Sequence, residues 1–237
     1  MNIDFHSHIL PHMDDGSESL EMSLAMLRAE QEQNVERVIL TPHFYRSHET
    51  IDNFLQRRKN AVRQLLYAKT DIKLPELILG AEVAMTKDLR YESLLPLCIE
   101  NTNTLLLELP YTAMNYNCMQ DLLAVLQKNE VQIVLAHVER YRQLWGAKCW
   151  EKVMALPVYK QISCGALLSD NLFQRRRMLR WIANEQVHLL GTDAHNCTLR
   201  PVNMAHALEF LEKKGLGSHT KKMMKYAEQL SMPFNKG

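Results

Sequence analysis

Cysteine is scarce and unpatterned. Five cysteines, at 98, 118, 149, 164 and 197, are scattered through 237 residues with no Cys-x-x-Cys pair. An odd, scattered set reads as free thiols in a reducing compartment, not as a disulfide framework or a zinc ribbon. None has an arginine six positions later, so a thiolate nucleophile in a phosphate-cradling loop is excluded. Neither sign of charge dominates: 28 Lys+Arg against 27 Asp+Glu leave a formal +1, which weighs against a nucleic-acid binder. There is no Gly-x-Gly-x-x-Gly and no Gly-x-x-x-x-Gly-Lys, so a nucleotide-binding sheet has no support. No window approaches the ~18 consecutive apolar residues of a membrane helix. The opening MNIDFHSHILPHMDDG lacks the basic-then-apolar run of a secretory signal. The expectation is a cytoplasmic protein that does not insert in a membrane. Repeats, low-complexity tracts and Gly/Ser/Pro linkers are also missing, so one domain over 1–237 is expected.

What is present is alternation. Short Val/Ile/Leu-rich runs fall at 3–5, 35–40, 77–79, 104–107, 131–136, 159–162 and 187–190. Helix-like stretches lie between several of them, at 17–34 (with Ser17 or Ser19 as N-cap), 50–68, 117–129, 169–185 and 201–214, and a further helix is expected after 214. Residues 87–102 have no clear pattern. The class is α/β with a mostly parallel sheet and helices outside. At this length a closed or nearly closed barrel fits, with an open doubly wound sheet as the alternative.

The chemistry-bearing residues cluster at the ends of these runs. His6 and His8 follow the first as His-Ser-His, and residues two apart on an extended segment point the same way. Asp14 and Asp15 come next. His43 follows the second run, Glu82 the third, Glu108 the fourth and His137 the fifth, while Asp193 and His195 follow the seventh. Only the sixth, ending near Ser163, has none. Singly, each is an ordinary polar residue. As a set, five histidines and four carboxylates at strand ends on one face exceed the needs of one ion and suit two or three divalent ions.

The order His-x-His, Asp-Asp-Gly, Thr-Pro-His, Gly-Ala-Glu, strand-end Glu, Ala-His-Val-Glu-Arg-Tyr and Asp-Ala-His-Asn resembles the PHP (polymerase and histidinol phosphatase) superfamily. Within it, the chain is most similar to the bacterial tyrosine phosphatases of capsule and exopolysaccharide operons, the CpsB/YwqE type. The resemblance runs from His6 to about Pro201. It implies a distorted (β/α)7 TIM-like barrel forming a single PHP phosphatase domain. It further implies one ion on His6, His8, Glu82 and Asp193, a second on Glu82, Glu108 and His137, and a third on Asp15, His43 and His195. Glu108 marks this branch, since many PHP phosphatases place His there. The implied ions are manganese, with iron or zinc as alternatives that the donor set does not separate. His12 departs from the family, whose close members often have Gly there.

Arg140 and Arg200 follow ligand-bearing strands, and planar guanidinium donors next to metal suit phosphate. Three divalent ions outweigh four carboxylates, and the arginines raise the excess to about +4, which suits a phosphate dianion. The implied reaction is hydrolysis of phosphotyrosine by a hydroxide bridging two ions, with Asp193 or His195 available as an acid. Tyr111, Met114 and Tyr116 are candidate walls for the tyrosine ring. The implied partner is an autophosphorylating bacterial tyrosine kinase with a Tyr-rich tail, with no nucleic acid; a homo-oligomer is open. The alternatives are a small-molecule phosphomonoesterase of the histidinol-phosphate type and a catalytically silent binder of metal and kinase tail.

Overall fold

The computed structural model describes residues 1–68, 73–112, 116–128 and 130–233. The strands are β1 (Asn2–Ser7), β2 (Val35–Leu40), β3 (His43–Phe44), β4 (Glu76–Leu79), β5 (Glu82–Ala84), β6 (Thr104–Glu108), β7 (Gln132–Leu135), β8 (Tyr159–Ser163) and β9 (Leu189–Gly191). The helices are α1 (Leu20–Glu32), α2 (Ile51–Tyr67), α3 (Tyr116–Leu126), α4 (Arg142–Met154), α5 (Cys164–Leu168), α6 (Leu172–Ala183), α7 (Met204–Lys213) and α8 (Gly217–Leu230). Every strand pair is parallel.

Strand order is β1-β2-β4 in one sheet and β3-β5-β6-β7-β8-β9 in the other. The two sheets arise from two interrupted runs. Thr41 and Pro42 separate β2 from β3, and Gly80 and Ala81 separate β4 from β5. Pro42 has no N–H for a ladder, yet its carbonyl accepts from Glu82 N at 3.0 Å, and Gly80 N donates to Leu40 O at 2.8 Å. The chain therefore passes from one sheet to the other without losing its neighbour. Arg58 of α2 is buried at this break and donates to Gly80 O. At the other margin, Asp193 N donates to His6 O (2.7 Å) and His8 N to Ala194 O (2.9 Å), which ties the end of β9 to the end of β1. The result is a curled parallel sheet with the strand C-termini on one side.

Parallel strands covered by helices are buried on both faces, and Ile3, Asp4, Phe5, His6 and Ser7 are all fully buried on β1. Polar residues inside such a strand must find partners, which is what concentrates chemistry there. Of the two candidate caps for α1, Ser19 accepts from Met22 N, while Ser17 Oγ bonds Ser19 O and the Ser23 hydroxyl. Residues 87–102 form two 3₁₀ turns, Lys87–Tyr91 and Leu95–Leu97, the second with Pro96 in its first turn. The expected helix 117–129 ends at Leu126, and residue 129 lies outside the described set. α4 has no counterpart among the expected helices; it is kinked at Gly146, where φ is 70°. Among the described residues no helix is long and apolar enough to cross a membrane.

Candidate metal centre

The curled sheet brings the strand-end residues together. His6 Nε2 and His8 Nε2 face each other at 3.0 Å. Each lies 3.1–3.6 Å from both Glu82 Oε2 and Asp193 Oδ1. His137 Nε2 lies 2.7 Å from Glu82 Oε1 and 3.4 Å from Glu108 Oε1. On the opposite flank, Asp15 Oδ1 lies 3.5 Å from His43 Nε2 and 3.6 Å from His195 Nε2. His43 Nδ1 crosses to Glu82 Oε2 at 3.0 Å. All nine residues singled out in the sequence thus share one constellation, with Glu82 at its centre. Asp15 alone is largely exposed, with 69% of its side chain accessible.

Close backbone approach makes this density possible. A Cβ on Gly16 would stand 2.3 Å from His8 O, and one on Gly191 would stand 2.5 Å from His6 Cβ. Neither position admits a side chain. His137 (φ 29°) and Asp193 (φ 54°) both occupy the left-handed region. That conformation costs a non-glycine residue about 1–3 kcal/mol and is typical of functional sites.

The imidazoles are oriented from behind. His8 Nδ1 is 2.7 Å from Asp14 Oδ2, His195 Nδ1 2.9 Å from Asp193 O, His6 Nδ1 3.3 Å from Gln161 Oε1, and His137 Nδ1 3.1 Å from the Tyr141 hydroxyl. Nδ1–H groups held by these acceptors turn four Nε2 atoms toward the carboxylates. Lone pairs facing carboxylate oxygens in a dry interior repel unless a cation lies among them. His195 Nε2, His43 Nδ1 and Glu82 Oε2 are indeed buried with no hydrogen-bond partner. Three overlapping donor sets have ligand spacing: His8 with His43 and His195, His6 with His8 and Asp193, and His43 with Glu82 and Glu108. This mixed N/O set fits borderline divalent cations.

In the metal-free protein, protons supply part of that positive charge. Burial opposes charge on His8, but Asp14 overcomes it and holds the imidazole well above its ordinary range. Burial likewise opposes charge on His137, yet Glu108 and Glu82 lift it to about 9. Burial and the neighbouring His8 charge push His195 down to about 3. Glu82 and Asp193 are held well below the carboxylate range: burial works against this, but His6 dominates, with His137 adding for Glu82 and Arg140 for Asp193. An ionised Asp193 suits a ligand and not a proton donor.

Asp193 also divides its two oxygens. Oδ1 faces the histidines, while Oδ2 accepts from Arg200 at 2.5 Å and from Arg140. Arg140 Nη1 donates to the Tyr111 hydroxyl at 2.9 Å. Both arginines and Tyr111 border a cavity of about 480 Å³ that opens onto Glu82, Glu108 and Asp193. Of the three ring-wall candidates, Tyr111 lines this cavity; Met114 and the side chain of Tyr116 lie outside the described residues. His12 is exposed at φ 57°, a conformation that glycine adopts without strain.

Three orienting residues were not assigned from the sequence. Asp14 was visible beside Asp15, but nothing local says which of the two turns inward. Gln161 is a polar residue within an apolar run, and its Oε1 accepts from His137 N (2.7 Å) as well as facing His6. Tyr141 lies four residues after His137, one helical turn on, and its hydroxyl also accepts from Leu109 N.

The family model for capsular polysaccharide synthesis, CpsB/CapC, matches residues 2–230. The tyrosine-protein phosphatase YwqE of Bacillus subtilis (strain 168) is 30% identical over 220 residues, covering 90% of this chain and 84% of that protein. The tyrosine-protein phosphatase CpsB of Streptococcus pneumoniae is 29% identical over 232 residues, 90% of each. A solved structure, described with YwqE from Bacillus subtilis and CpsB from Streptococcus pneumoniae as unique metal-dependent tyrosine phosphatases, superposes with a TM-score of 0.77. It covers 98% of this chain and 96% of its own at 23% identity, a likeness of fold. With a family model spanning nearly its whole length, this chain belongs to the CpsB/CapC family of capsular polysaccharide synthesis proteins.

Proposed function

We propose that the protein is a metal-dependent protein-tyrosine phosphatase. One observation carries the reading: the same Asp193 carboxylate that faces the histidine cluster with one oxygen anchors two arginines with the other, and relatives sharing the family are named tyrosine-protein phosphatases. We read the curled sheet, with its two interrupted runs and the β9–β1 hydrogen bonds, as a distorted (β/α)7 barrel forming one domain.

Three sites are proposed for divalent ions: His6, His8, Glu82 and Asp193; Glu82, Glu108 and His137; and Asp15, His43 and His195. Manganese is the first candidate. Ions held there would neutralise phosphate charge and lower the pKa of water toward neutrality. The chain's own residues do the rest. Arg140 and Arg200 exchange Asp193 Oδ2 for the substrate's phosphoryl oxygens and stabilise their charge as the ester bond breaks. Tyr111 holds Arg140 in place and walls the aryl ring. Asp14, Gln161 and Tyr141 keep the imidazoles in register. A phenolate is a good leaving group, so little acid assistance is required. The substrate is a tyrosine-phosphorylated protein, with an autophosphorylating bacterial tyrosine kinase of polysaccharide export in the cytoplasm as the proposed partner.

The test is hydrolysis of a phosphotyrosine peptide and of histidinol phosphate by chelator-stripped protein with Mn²⁺ returned. The expected result is metal-restored turnover of the phosphotyrosine peptide that survives thiol alkylation. Preference for histidinol phosphate would replace the reading with a small-molecule phosphomonoesterase. Metal binding without turnover of either would replace it with a silent binder.

A further inference from the structure

Of the seven apolar runs, only the one that forms β8 is followed by no candidate metal ligand. Its C-terminus instead opens a second cavity of about 330 Å³, bordered on one side by Arg140, Asp193 and Arg200, which also line the first. The chain turns here through Ser163, Cys164, Gly165 and Ala166, and the small residues leave room. Three of the residues that border it, Glu139, Ser163 and Asn203, carry a buried polar atom with no hydrogen bond. Glu139 and Ser163 are 2% and 4% exposed. Glu139 Oε2, Ser163 Oγ and Asn203 Oδ1 all lack hydrogen bonds, although Glu139 Oε1 is reached by Ser163 N at 3.4 Å. Buried polar atoms are rarely left unmade, because each costs about 1–3 kcal/mol.

We infer that this cavity is a subsite for the residue flanking phosphotyrosine, and that it selects a carboxamide side chain, Gln or Asn. The inference rests on the phosphatase reading. Two arginines and two carboxylates border the cavity, so hydrogen-bond donors and acceptors stand side by side there. The unmade groups at Glu139 and Asn203 are acceptors, which call for N–H donors. The guanidinium groups on the shared wall are donors, which call for a carbonyl. A carboxamide offers both from one planar group. A carboxylate would meet the two acceptors, and an ammonium would meet the two guanidinium groups. Because Arg140 and Arg200 border both cavities, a side chain that folds back from the residue next to phosphotyrosine would enter the second cavity beside the phosphate.

The experiment uses metal-loaded enzyme and phosphotyrosine peptides with Gln, Ala, Glu or Lys at the position before or after the phosphotyrosine, with free phosphotyrosine as reference. For one of the two positions, Gln is expected to exceed Ala by about tenfold in kcat/KM, two hydrogen bonds' worth, chiefly through KM. Ala166→Leu, which fills the cavity, and Asn203→Ala, which removes an acceptor, are each expected to shrink the Gln:Ala ratio toward one. Equal rates across both series, a preference for Glu or Lys, or a Gln preference that survives both substitutions would overturn the subsite. Absence of turnover on free phosphotyrosine and every peptide alike would overturn the phosphatase reading instead, and the subsite with it.

Discussion

At the scale of single residues, the site is a division of labour between groups that face the cluster and groups that hold them. His8 illustrates it: Nε2 faces Glu82 and Asp193, while Nδ1 is held by Asp14, which also accepts from His43 N at 2.8 Å. Removing such an orienting carboxylate typically costs 10–100-fold in metal affinity. Asp14→Ala is therefore expected to weaken Mn²⁺ binding by about that factor in a chelator competition; unchanged affinity would deny Asp14 its role. His6→Ala is expected to abolish turnover, because it strips a donor from the most enclosed group. Arg200 acts on the other side of Asp193. A charge-assisted hydrogen bond is worth about 1.5–3 kcal/mol, so Arg200→Ala should weaken inhibition by inorganic phosphate roughly 10–100-fold while leaving metal content intact. The nine facing residues were legible in the sequence because strand ends in a parallel sheet share a face. Gln161 and Tyr141 were not, since their partners His6 and His137 are recognised only once the strands are side by side.

At the scale of elements, two strands show how local sequence serves the site. β9 ends at Gly191 because β1 passes too close for any side chain. Gly191→Ala forces backbone and His6 apart, and an overpacked contact of this kind costs about 1–3 kcal/mol. The expected readout is a lower urea midpoint together with weaker metal binding; wild-type values for both would mean the two strands can separate freely. β8 carries a different burden. Lys160 is almost fully buried there, its Nζ donating to Leu156 O and Val158 O, and burial pushes its ammonium down to about 8. Its folded pKa lies below the unfolded value of 10.5, so charging it costs stability below about 8, and the cost fades as pH rises toward 10.5. Lys160→Met removes that cost. Its stability relative to wild type should be higher at pH 7 than at pH 10, and a difference independent of pH would show that the ammonium is not desolvated. The apolar runs marked most strands correctly, but the breaks at Pro42 and Gly80 and the helix α4 were set by neighbours and not by periodicity.

At the scale of the whole molecule, the proposed ions would couple to the fold. A ligand bound only by the folded state at 100 times its dissociation constant adds about 2.7 kcal/mol, which for a chain of this size corresponds to roughly 5–10 °C in Tm. Chelation should lower Tm by that order and Mn²⁺ should restore it. Protons compete for the same nitrogens. His137 in the metal-free protein holds its proton up to about 9, above the ordinary 6.5, so near neutrality an ion that enters between His137, Glu82 and Glu108 must displace a proton. Mn²⁺ affinity is therefore expected to rise with pH up to about 9 and level off beyond it. Calorimetric heats that do not vary with buffer ionisation enthalpy would contradict this.

The amino-acid sequence by itself determined the class of fold, the alternation of strands and helices, and the residues of the candidate metal centre with their order along the chain. These are local properties: periodicity, capping and the residue type at a strand's end. Tertiary structure alone decided how donors separated by up to 189 positions group around Glu82, which nitrogen of each imidazole faces inward, and that Asp193 serves histidines and arginines at once. It also decided that the end of β8 would open a polar cavity beside the arginines. Such features depend on contacts like His6 with Gln161, 155 residues apart, and a pairing at that separation leaves no trace in the sequence near either partner.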